Sequence, residues 1–192
     1  MAARTPDARM TYDEYLALEA SSSLKHEYIR GEVYAMSGGT PTHARLQVGV
    51  SAALAAALKG RACAVFSSDL AVRVEATDAT FHPDVTVVCG KLETSARDRN
   101  AVVNPKVIVE VLSESTEAYD RGAKAGHYRQ IPSLSEYVLV AQAERLVEVY
   151  RRNERGRWEL AVEARSGEVL VEGIGAAFTV EELYADPLEP PS

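Results

Sequence analysis

The segment from Lys106 to Leu112, with the sequence KVIVEVL, constrains the fold of this chain more than any other. Its β-branched residues predict a strand, and the apolar residues on both of its faces predict a strand inside a sheet. Glu110 lies in the middle of it, on the same face as Ile108 and Leu112. A carboxylate on an apolar face needs a partner. Glu110 is therefore interpreted as a metal ligand, with an edge strand or a structural ion pair to an arginine as the alternatives.

Helices and strands follow one another along the rest of the chain. Thr11 and Glu14 have the spacing of a capping box, and Pro132 ends a third helix. Helices are predicted at 11–20, 40–59, 116–130 and 180–184. Strands are predicted on both sides of Arg30-Gly31 and at 62–67, 70–75, 85–89, 106–112, 136–140, 145–151, 158–163 and 169–171. This order predicts an α+β (mixed α/β) domain with a central mixed sheet flanked by helices and extra C-terminal strands.

Length and cysteine content predict how the chain is organised. A chain of 192 residues can bury a core without disulfides, and we predict a leader at 1–10, one domain at 11–186 and a Pro-rich tail at 187–192. Cys63 and Cys89 are far apart in sequence and form no CxxC motif, so no disulfide is expected. With no membrane-length apolar run and no signal peptide, the sequence predicts a soluble cytoplasmic protein.

The charge of the chain opposes general attraction to a polyanion. There are 28 acidic and 21 basic side chains, which gives a formal net charge of -7. Affinity for nucleic acid depends on where the basic residues lie, so a local patch can override the total. The candidates for such a patch are Arg121, Lys124 and Arg129.

Two further residues extend the chemistry suggested by Glu110. Asp84 follows Pro83 at the entrance to an apolar strand, where it either caps a turn or shares a metal ion with Glu110. Carboxylates on adjacent strands suit hard cations such as Mg²⁺ or Mn²⁺. Lys124 lies on the following helix, where it either offsets phosphate charge or makes an ordinary solvated contact. Asp120 and Tyr128, one helical turn before and after it, are candidate pocket residues.

An ordered set of short motifs extends from about Tyr12 to Tyr150, and together it resembles the Uma-two family of endonucleases. The motifs are HEYIRGEV with a downstream His43, then Pro83-Asp84-Val85, VEVLSEST, the segment from Asp120 to Tyr128, and Glu136-Tyr137. None of these motifs is specific by itself. Their order carries the resemblance.

The resemblance implies a restriction-endonuclease-like fold of the PD-(D/E)XK superfamily, with Asp84 and Glu110 as metal ligands. The superfamily lysine stands two residues after the glutamate, where this chain has Leu112, and Lys124 is expected to replace it. The resemblance also places Glu32 as a further ligand or an exposed hairpin residue. His43 is expected to shape the pocket or to cap and pack its helix, and the carbonyl of Val111 is a further candidate ligand.

The sequence therefore predicts an endonuclease that hydrolyses DNA with Mg²⁺ or Mn²⁺, using Asp84, Glu110 and Lys124. Arg121 and Arg129 are predicted to contact the DNA, and a homodimer is predicted from the alternating strands after Glu136. Two alternatives stay open. One is a non-catalytic interaction or dimerisation module on a nuclease fold, and the other is a metal-dependent hydrolase of a small phosphoester.

Overall fold

The structure, a computed structural model, describes residues 9–36, 38–186 and 188. Most of the predicted leader and tail lies outside these residues, and the single domain at 11–186 stays a prediction. The helices are α1 (Tyr12–Ser21), α2 (Pro41–Ala57), α3 (Glu117–Tyr119), α4 (Ala125–Tyr128) and α5 (Val180–Tyr184). The strands are β1 (His26–Ile29), β2 (Glu32–Ala35), β3 (Cys63–Ser67), β4 (Ala71–Val74), β5 (Ala79–Phe81), β6 (Val85–Cys89), β7 (Ala101–Val102), β8 (Val107–Leu112), β9 (Glu136–Ala141), β10 (Val147–Arg152), β11 (Trp158–Ala164), β12 (Glu168–Val171) and β13 (Ala176–Thr179).

The largest sheet among the described residues has the strand order β11-β10-β9-β8-β6-β3. β8 lies inside it, parallel to β9 and antiparallel to β6, so the predicted mixed α/β fold is confirmed. All residues of β8 are buried, which excludes the edge-strand alternative for Glu110. In the part of the chain that the structure describes, no helix is long and apolar enough to cross a membrane.

A second sheet, in the order β2-β1-β5-β4-β7, contains the predicted hairpin. Arg30 and Gly31 connect β1 to β2 with positive φ values of 50° and 91°, as a tight two-residue hairpin turn requires. A side chain at Gly31 would also collide, because its Cβ would lie 2.9 Å from the Cβ of Arg9. β12 and β13 form a separate antiparallel pair.

Apolar side chains alternate along β8 and enter different clusters on the two faces of the large sheet. Val107 and Val109 belong to one cluster with the buried side of α2, which carries Leu46, Val50 and Leu54. Ile108 and Leu112 belong to another, with Tyr128 and Tyr137. Because residues i and i+2 share a face, Glu110 is directed toward the second cluster and toward the helical segment after β8.

Some predicted elements differ from the structure. β5, β7 and β13 were not predicted, because each is only two to four residues long and too short to show a periodic pattern. The predicted helix at 116–130 is not regular, since a π-helical turn at Asp120–Lys124 separates α3 from α4. Asp120, Lys124 and Tyr128 are nevertheless all buried.

The prediction that the cysteines are unpaired is wrong. Antiparallel pairing of β3 with β6 places Cys63 opposite Cys89, and a disulfide joins them. Twenty-six residues separate the two cysteines in sequence, so the strand register brings them together and their spacing gives no sign of it. Disulfides persist mainly in oxidising compartments, so the cysteine content no longer supports the predicted reducing, cytoplasmic setting.

Candidate active site

Asp84 and Glu110 lie opposite each other on two paired strands. Val85 is the partner of Val109 in the antiparallel register, so Asp84 and Glu110 form the next opposed pair. The Asp84 amide donates to Glu110 Oε2 at 3.3 Å, and the Val111 amide donates to Asp84 Oδ2 at 2.7 Å. The structure thus brings together the two carboxylates that the sequence singled out, and it fixes one oxygen of Asp84 on the backbone of the neighbouring strand.

The Glu110 carboxylate is almost completely buried. Its exposed fraction is 4%, and its Oε1 accepts a hydrogen bond from the Tyr128 hydroxyl at 2.8 Å. Burial, against the opposing effect of Lys124 and with the help of the negative charges of Asp120 and Asp84, raises the pKa of Glu110 to about 8. The positive charge of Lys124 therefore does not fully compensate the buried carboxylates, and the site favours the binding of a proton or a cation.

Lys124 supplies the positive charge of this cluster. Its Nζ lies 2.9 Å from Glu110 Oε1, 2.9 Å from Glu27 Oε1 and 3.6 Å from Asp120 Oδ1. Burial lowers the pKa of the Lys124 ammonium, but Glu110, Tyr128, Glu27 and Asp120 outweigh burial and hold that pKa well above its usual value. Because Lys124 and Asp120 are both buried, the alternative of a solvated surface pair does not apply.

Glu27 is a member of this cluster that sequence reasoning missed. It is buried in β1 and forms an ion pair with Lys124, whereas Glu32 begins β2 and accepts a hydrogen bond from the Tyr34 hydroxyl. Both glutamates line the same cavity. The position of Glu27 inside the hairpin strand, rather than beside its turn, was the available signal. A role for Glu32 as a metal ligand stays a prediction.

His43 lies at the beginning of α2, where it contacts both the helix cap and a cavity residue. Its amide donates to the side chain of the N-cap residue Thr40 at 3.1 Å, and its ring Nε2 lies 3.3 Å from Asp84 Oδ2. The hydrogen bond with Asp84 raises the pKa of His43, although burial opposes the rise. Gly39 must be small here, because a Cβ at this position would lie 2.9 Å from the ring Nδ1.

These side chains line one cavity of about 610 Å³, a size typical of ligand-binding sites. Its walls come from the β1–β2 hairpin, the start of α2, the ends of β6 and β8 and the helical segment after β8. Gly38, Gly39 and Thr40 contribute one loop to the wall, and Ser113, Ser115 and Thr116 contribute hydroxyl groups. Elements distant in sequence thus build a single concave, predominantly acidic site.

The residues present fit a hard divalent cation. Asp84 and Glu110 can supply oxygen ligands, and three carboxylates, from Glu27, Glu110 and Asp120, lie within 4 Å of the ammonium of Lys124. Within the described ranges, no three His, Cys, Asp or Glu side chains are grouped so as to hold an ion by themselves. Mg²⁺ does not require such a group, because it is usually bound by one or two carboxylates together with water and substrate phosphates.

The remaining predicted residues fall into two sets. Asp120 lines the cavity. Tyr128 is not among the described lining residues, but its hydroxyl donates to Glu110, which does line the cavity. Arg121 and Arg129 are not among the described residues that line the cavity. Arg121 forms ion pairs with Glu117 and Glu148, whereas Arg129 lies against aromatic rings of the C-terminal strands.

A family model and two relatives each match most of the chain. A family model described as "Uma2: Putative restriction endonuclease" matches residues 12–181. The chain is 35% identical over 190 residues to "Uncharacterized protein slr1290" from Synechocystis, covering 96% of this chain and 97% of that protein. It is 34% identical over 151 residues to "Uncharacterized protein sll1609" from the same organism, covering 79% and 85% respectively.

A solved structure supports the fold independently. It is a crystal structure of "a putative nuclease belonging to DUF820" from Anabaena variabilis, with a TM-score of 0.73. The match covers 91% of this chain and 97% of that protein at 19% sequence identity. At this identity the match concerns the arrangement of helices and strands, and it places the chain among nuclease-like folds.

Proposed function

The chain belongs to the Uma2 family, described as "Putative restriction endonuclease", and from this we propose that it is a divalent-metal-dependent endonuclease that hydrolyses phosphodiester bonds in DNA. The nuclease-like fold supports the proposal at the level of class. The observation that carries it further is the convergence of Asp84, Glu110 and Lys124 in one cavity, with Lys124 Nζ 2.9 Å from Glu110 Oε1.

Asp84 and Glu110 are the proposed metal ligands, and Glu32 and the carbonyl of Val111 are proposed as further ligands because both residues line the same cavity. Mg²⁺ or Mn²⁺ bound there supplies a water molecule of lowered pKa and neutralises charge on the scissile phosphate. The chain contributes preorganisation, because the amide of Val111 holds the carboxylate of Asp84 in a fixed orientation.

Lys124 is proposed to stabilise the negative charge that develops on the phosphoryl oxygens. Its ammonium stays protonated between Glu110, Glu27 and Asp120, and these contacts fix its position in the cavity. A charge already held in place stabilises the transition state without reorganisation during the reaction. Glu27 is therefore proposed as a positioning residue for Lys124.

A plasmid-nicking assay tests this function. Supercoiled DNA is incubated with Mg²⁺ and the wild type, Asp84→Asn or Glu110→Gln, and both substitutions keep the size of the side chain. We expect each to lower the nicking rate by about 100-fold or more, because each removes a charged ligand. The control is Asp69→Asn, an exposed carboxylate paired with Lys25, which should nick at the wild-type rate. Equal rates for all four proteins would contradict the assignment.

The same proteins separate the two alternative functions. Hydrolysis of bis(p-nitrophenyl) phosphate without nicking of DNA would identify a hydrolase of small phosphoesters. Calorimetric titration with Mn²⁺ that shows no binding dependent on Asp84, together with no nicking, would identify a non-catalytic module. Circular dichroism melts of each variant establish that a loss of activity is not a loss of folding.

A homodimer is also proposed. β11 is an edge strand of the large sheet, and Leu160 on it is 45% exposed. Edge strands readily pair with a second chain, and a dimer would bring two sites to one duplex. Sedimentation of the wild type and of Leu160→Glu tests this: we expect a dimer that dissociates in the variant, and a monomeric wild type would contradict it.

A further inference from the structure

Four arginines gather where the β10–β11 hairpin meets the end of the helical segment that contains α4. Arg152 ends β10, Arg155 and Arg157 lie in the exposed turn, and Arg129 follows α4. Among the described residues, none of the four forms an ion pair with a carboxylate. With two aromatic residues they form what is called here the hairpin surface: Arg129, Tyr150, Arg152, Arg155, Arg157 and Trp158.

Aromatic rings, rather than carboxylates, hold two of these guanidinium groups. Arg152 lies 5.4 Å from the ring centroid of Trp158, and Arg129 lies 6.0 Å from Trp158 and 5.7 Å from Tyr150. Arg152 also donates to the carbonyls of Pro132 and Arg129 at 3.0 and 2.6 Å. These contacts fix the positions of the guanidinium groups and leave their positive charge uncompensated.

The same surface is short of hydrogen-bond acceptors. Arg129 Nε, Arg152 Nε and Trp158 Nε1 are buried nitrogen atoms for which the described residues provide no partner. The carboxylates of the hairpin turn and the start of β11 are those of Glu154 and Glu159, and Glu159 already accepts a hydrogen bond from Asn153. The exposed guanidinium groups of Arg155 and Arg157 can reach a ligand, and their excess positive charge favours an anionic one.

Other arginines of the chain differ from this pattern. Arg121 pairs with Glu117 and Glu148, and Arg151 pairs with Glu136 and Glu172. The chain as a whole carries a net charge of -7, so a group of unpaired arginines on one surface is a local reversal of its overall charge. Such a local reversal attracts a polyanion even though the total charge opposes it.

We propose that the hairpin surface binds the phosphate backbone of the DNA that the active site cleaves; this rests on the proposed function. Arg129 directly follows Tyr128, whose hydroxyl donates to Glu110. Arg129 is five positions after Lys124 on the helical segment, a rise of roughly 8 Å along the axis. Because duplex DNA presents a charge about every 1.7 Å of its length, a backbone entering the active site places further phosphates near this surface.

The chain carries a built-in reporter, because Trp158 is its only tryptophan. Titration of the protein with a short DNA duplex, in EDTA so that no cleavage occurs, is followed by Trp158 emission and by the anisotropy of a labelled duplex. We expect both signals to change over the same range of DNA concentration. Unchanged Trp158 emission at duplex concentrations that saturate the anisotropy would overturn the proposal.

Charge reversal tests the arginines directly. The double variant Arg155→Glu/Arg157→Glu changes two exposed residues of the turn, so folding is expected to survive. We expect its Kd to rise by about tenfold or more, and the slope of log K against log salt concentration to fall by about two. A Kd and slope equal to those of the wild type would overturn the proposal.

The matched control is Lys59→Glu/Arg99→Glu, which changes the net charge by the same amount. Both residues are exposed, and Lys59 follows α2, which packs on the other face of the large sheet from Glu110; Lys59 lies roughly 24 Å along the helix axis from His43. We expect the control to weaken binding by less than about threefold, with the slope unchanged. Equal losses in both double variants would show a general effect of charge and overturn the proposal.

The outcomes also separate this proposal from the proposed function. Nicking that depends on Asp84, with wild-type binding in Arg155→Glu/Arg157→Glu, would overturn the hairpin surface and leave the nuclease in place. Salt-dependent binding through the hairpin surface without any nicking would support this surface and remove the nuclease. No binding of the duplex by the wild type would overturn the surface as a DNA site.

Discussion

Lys124 is the residue that makes the burial of the acidic cluster possible. An ionised carboxylate transferred from water into a protein interior requires compensation, and here Glu27, Glu110 and Asp120 all lie within 3.6 Å of one ammonium. The same arrangement that supplies charge for chemistry therefore also stabilises the fold. A substitution at this position is expected to change stability together with the proposed activity, so Asp84, for which the described residues show no ion pair with Lys124, is the better choice for activity assays.

Replacement of the lysine should reveal this stabilising role. We expect Lys124→Met to lower the free energy of unfolding by about 3–5 kcal/mol, because buried carboxylates lose their counter-charge. The double variant Lys124→Met/Glu110→Gln should lose less, since it also removes one of those charges. Urea denaturation followed by circular dichroism measures both values. A single variant as stable as the wild type, or a double variant that is less stable than the single, would contradict this account.

A second residue-scale prediction concerns Gly173, which lies beside the fully buried Glu136. The Gly173 amide donates to Glu136 Oε2 at 2.8 Å, and a Cβ at Gly173 would lie 2.3 Å from Ser135 Oγ. We expect Gly173→Ala to destabilise the protein by about 1–3 kcal/mol through overpacking.

Gly126→Ala is the matched control for Gly173→Ala. Gly126 lies in α4 with no atom near the position of a Cβ, so alanine should stabilise the helix by up to about 1 kcal/mol. Urea denaturation measures both substitutions under the same conditions. The same sign of change for both would contradict the steric explanation.

At the scale of elements, the sequence predicted those features that depend on the residue pattern of a single strand or a single helix. The buried strand β8 and the position of Glu110 followed from alternation, and the four-residue spacing of Leu46, Val50 and Leu54 located α2. Pairing between distant segments could not be predicted in this way. Glu27 lies in the cluster because β1 pairs with β5 in the second sheet. No local sequence pattern predicts this strand pairing.

The π-helical turn at Asp120–Lys124 shows a second limit of sequence reasoning. A regular helix at four-residue spacing predicted that Asp120, Lys124 and Tyr128 share a face, and the structure directs all three inward. The wider turn between α3 and α4 was not predicted, because side-chain periodicity over so few residues does not distinguish π from α geometry. π-Helical turns within helices are frequent at functional sites, which agrees with the position of Lys124.

The disulfide leads to a prediction at the scale of paired strands. Cys63 and Cys89 join β3, at the edge of the large sheet, to β6, which begins directly after Asp84. A cross-link that closes a loop of this length is expected to contribute about 3 kcal/mol to stability. Without reductant, the unfolded protein should contain no free thiol, and Cys63→Ser/Cys89→Ser should unfold at a lower urea concentration. Two titratable thiols in the unfolded wild type would contradict the disulfide.

At the scale of the whole molecule, charge is distributed unevenly in a way that the total does not show. The cavity is acidic around Lys124, whereas the hairpin surface is basic, and the helical segment that places Lys124 in the cavity ends at Arg129 of that surface. A basic surface at the end of this helical segment can bind a polyanion while a cation occupies the cavity. The net charge of -7 therefore does not exclude DNA as a ligand, because most of the acidic residues lie outside the hairpin surface.

From the acidic excess in the cavity, we expect the stability of the whole protein to depend on divalent cations. A ligand that binds the folded state stabilises it by RT ln(1 + [L]/Kd), so a Mg²⁺ concentration ten times Kd would add about 1.4 kcal/mol. For a chain of this size, that gain corresponds to a rise in Tm of roughly 3–6 °C. Thermal melts in MgCl₂, compared with NaCl of equal ionic strength, measure the effect. Asp84→Asn should remove it and Asp69→Asn should keep it, because Asp69 is exposed and paired with Lys25. An equal rise in all three proteins would show a general salt effect and contradict a cation site at Asp84.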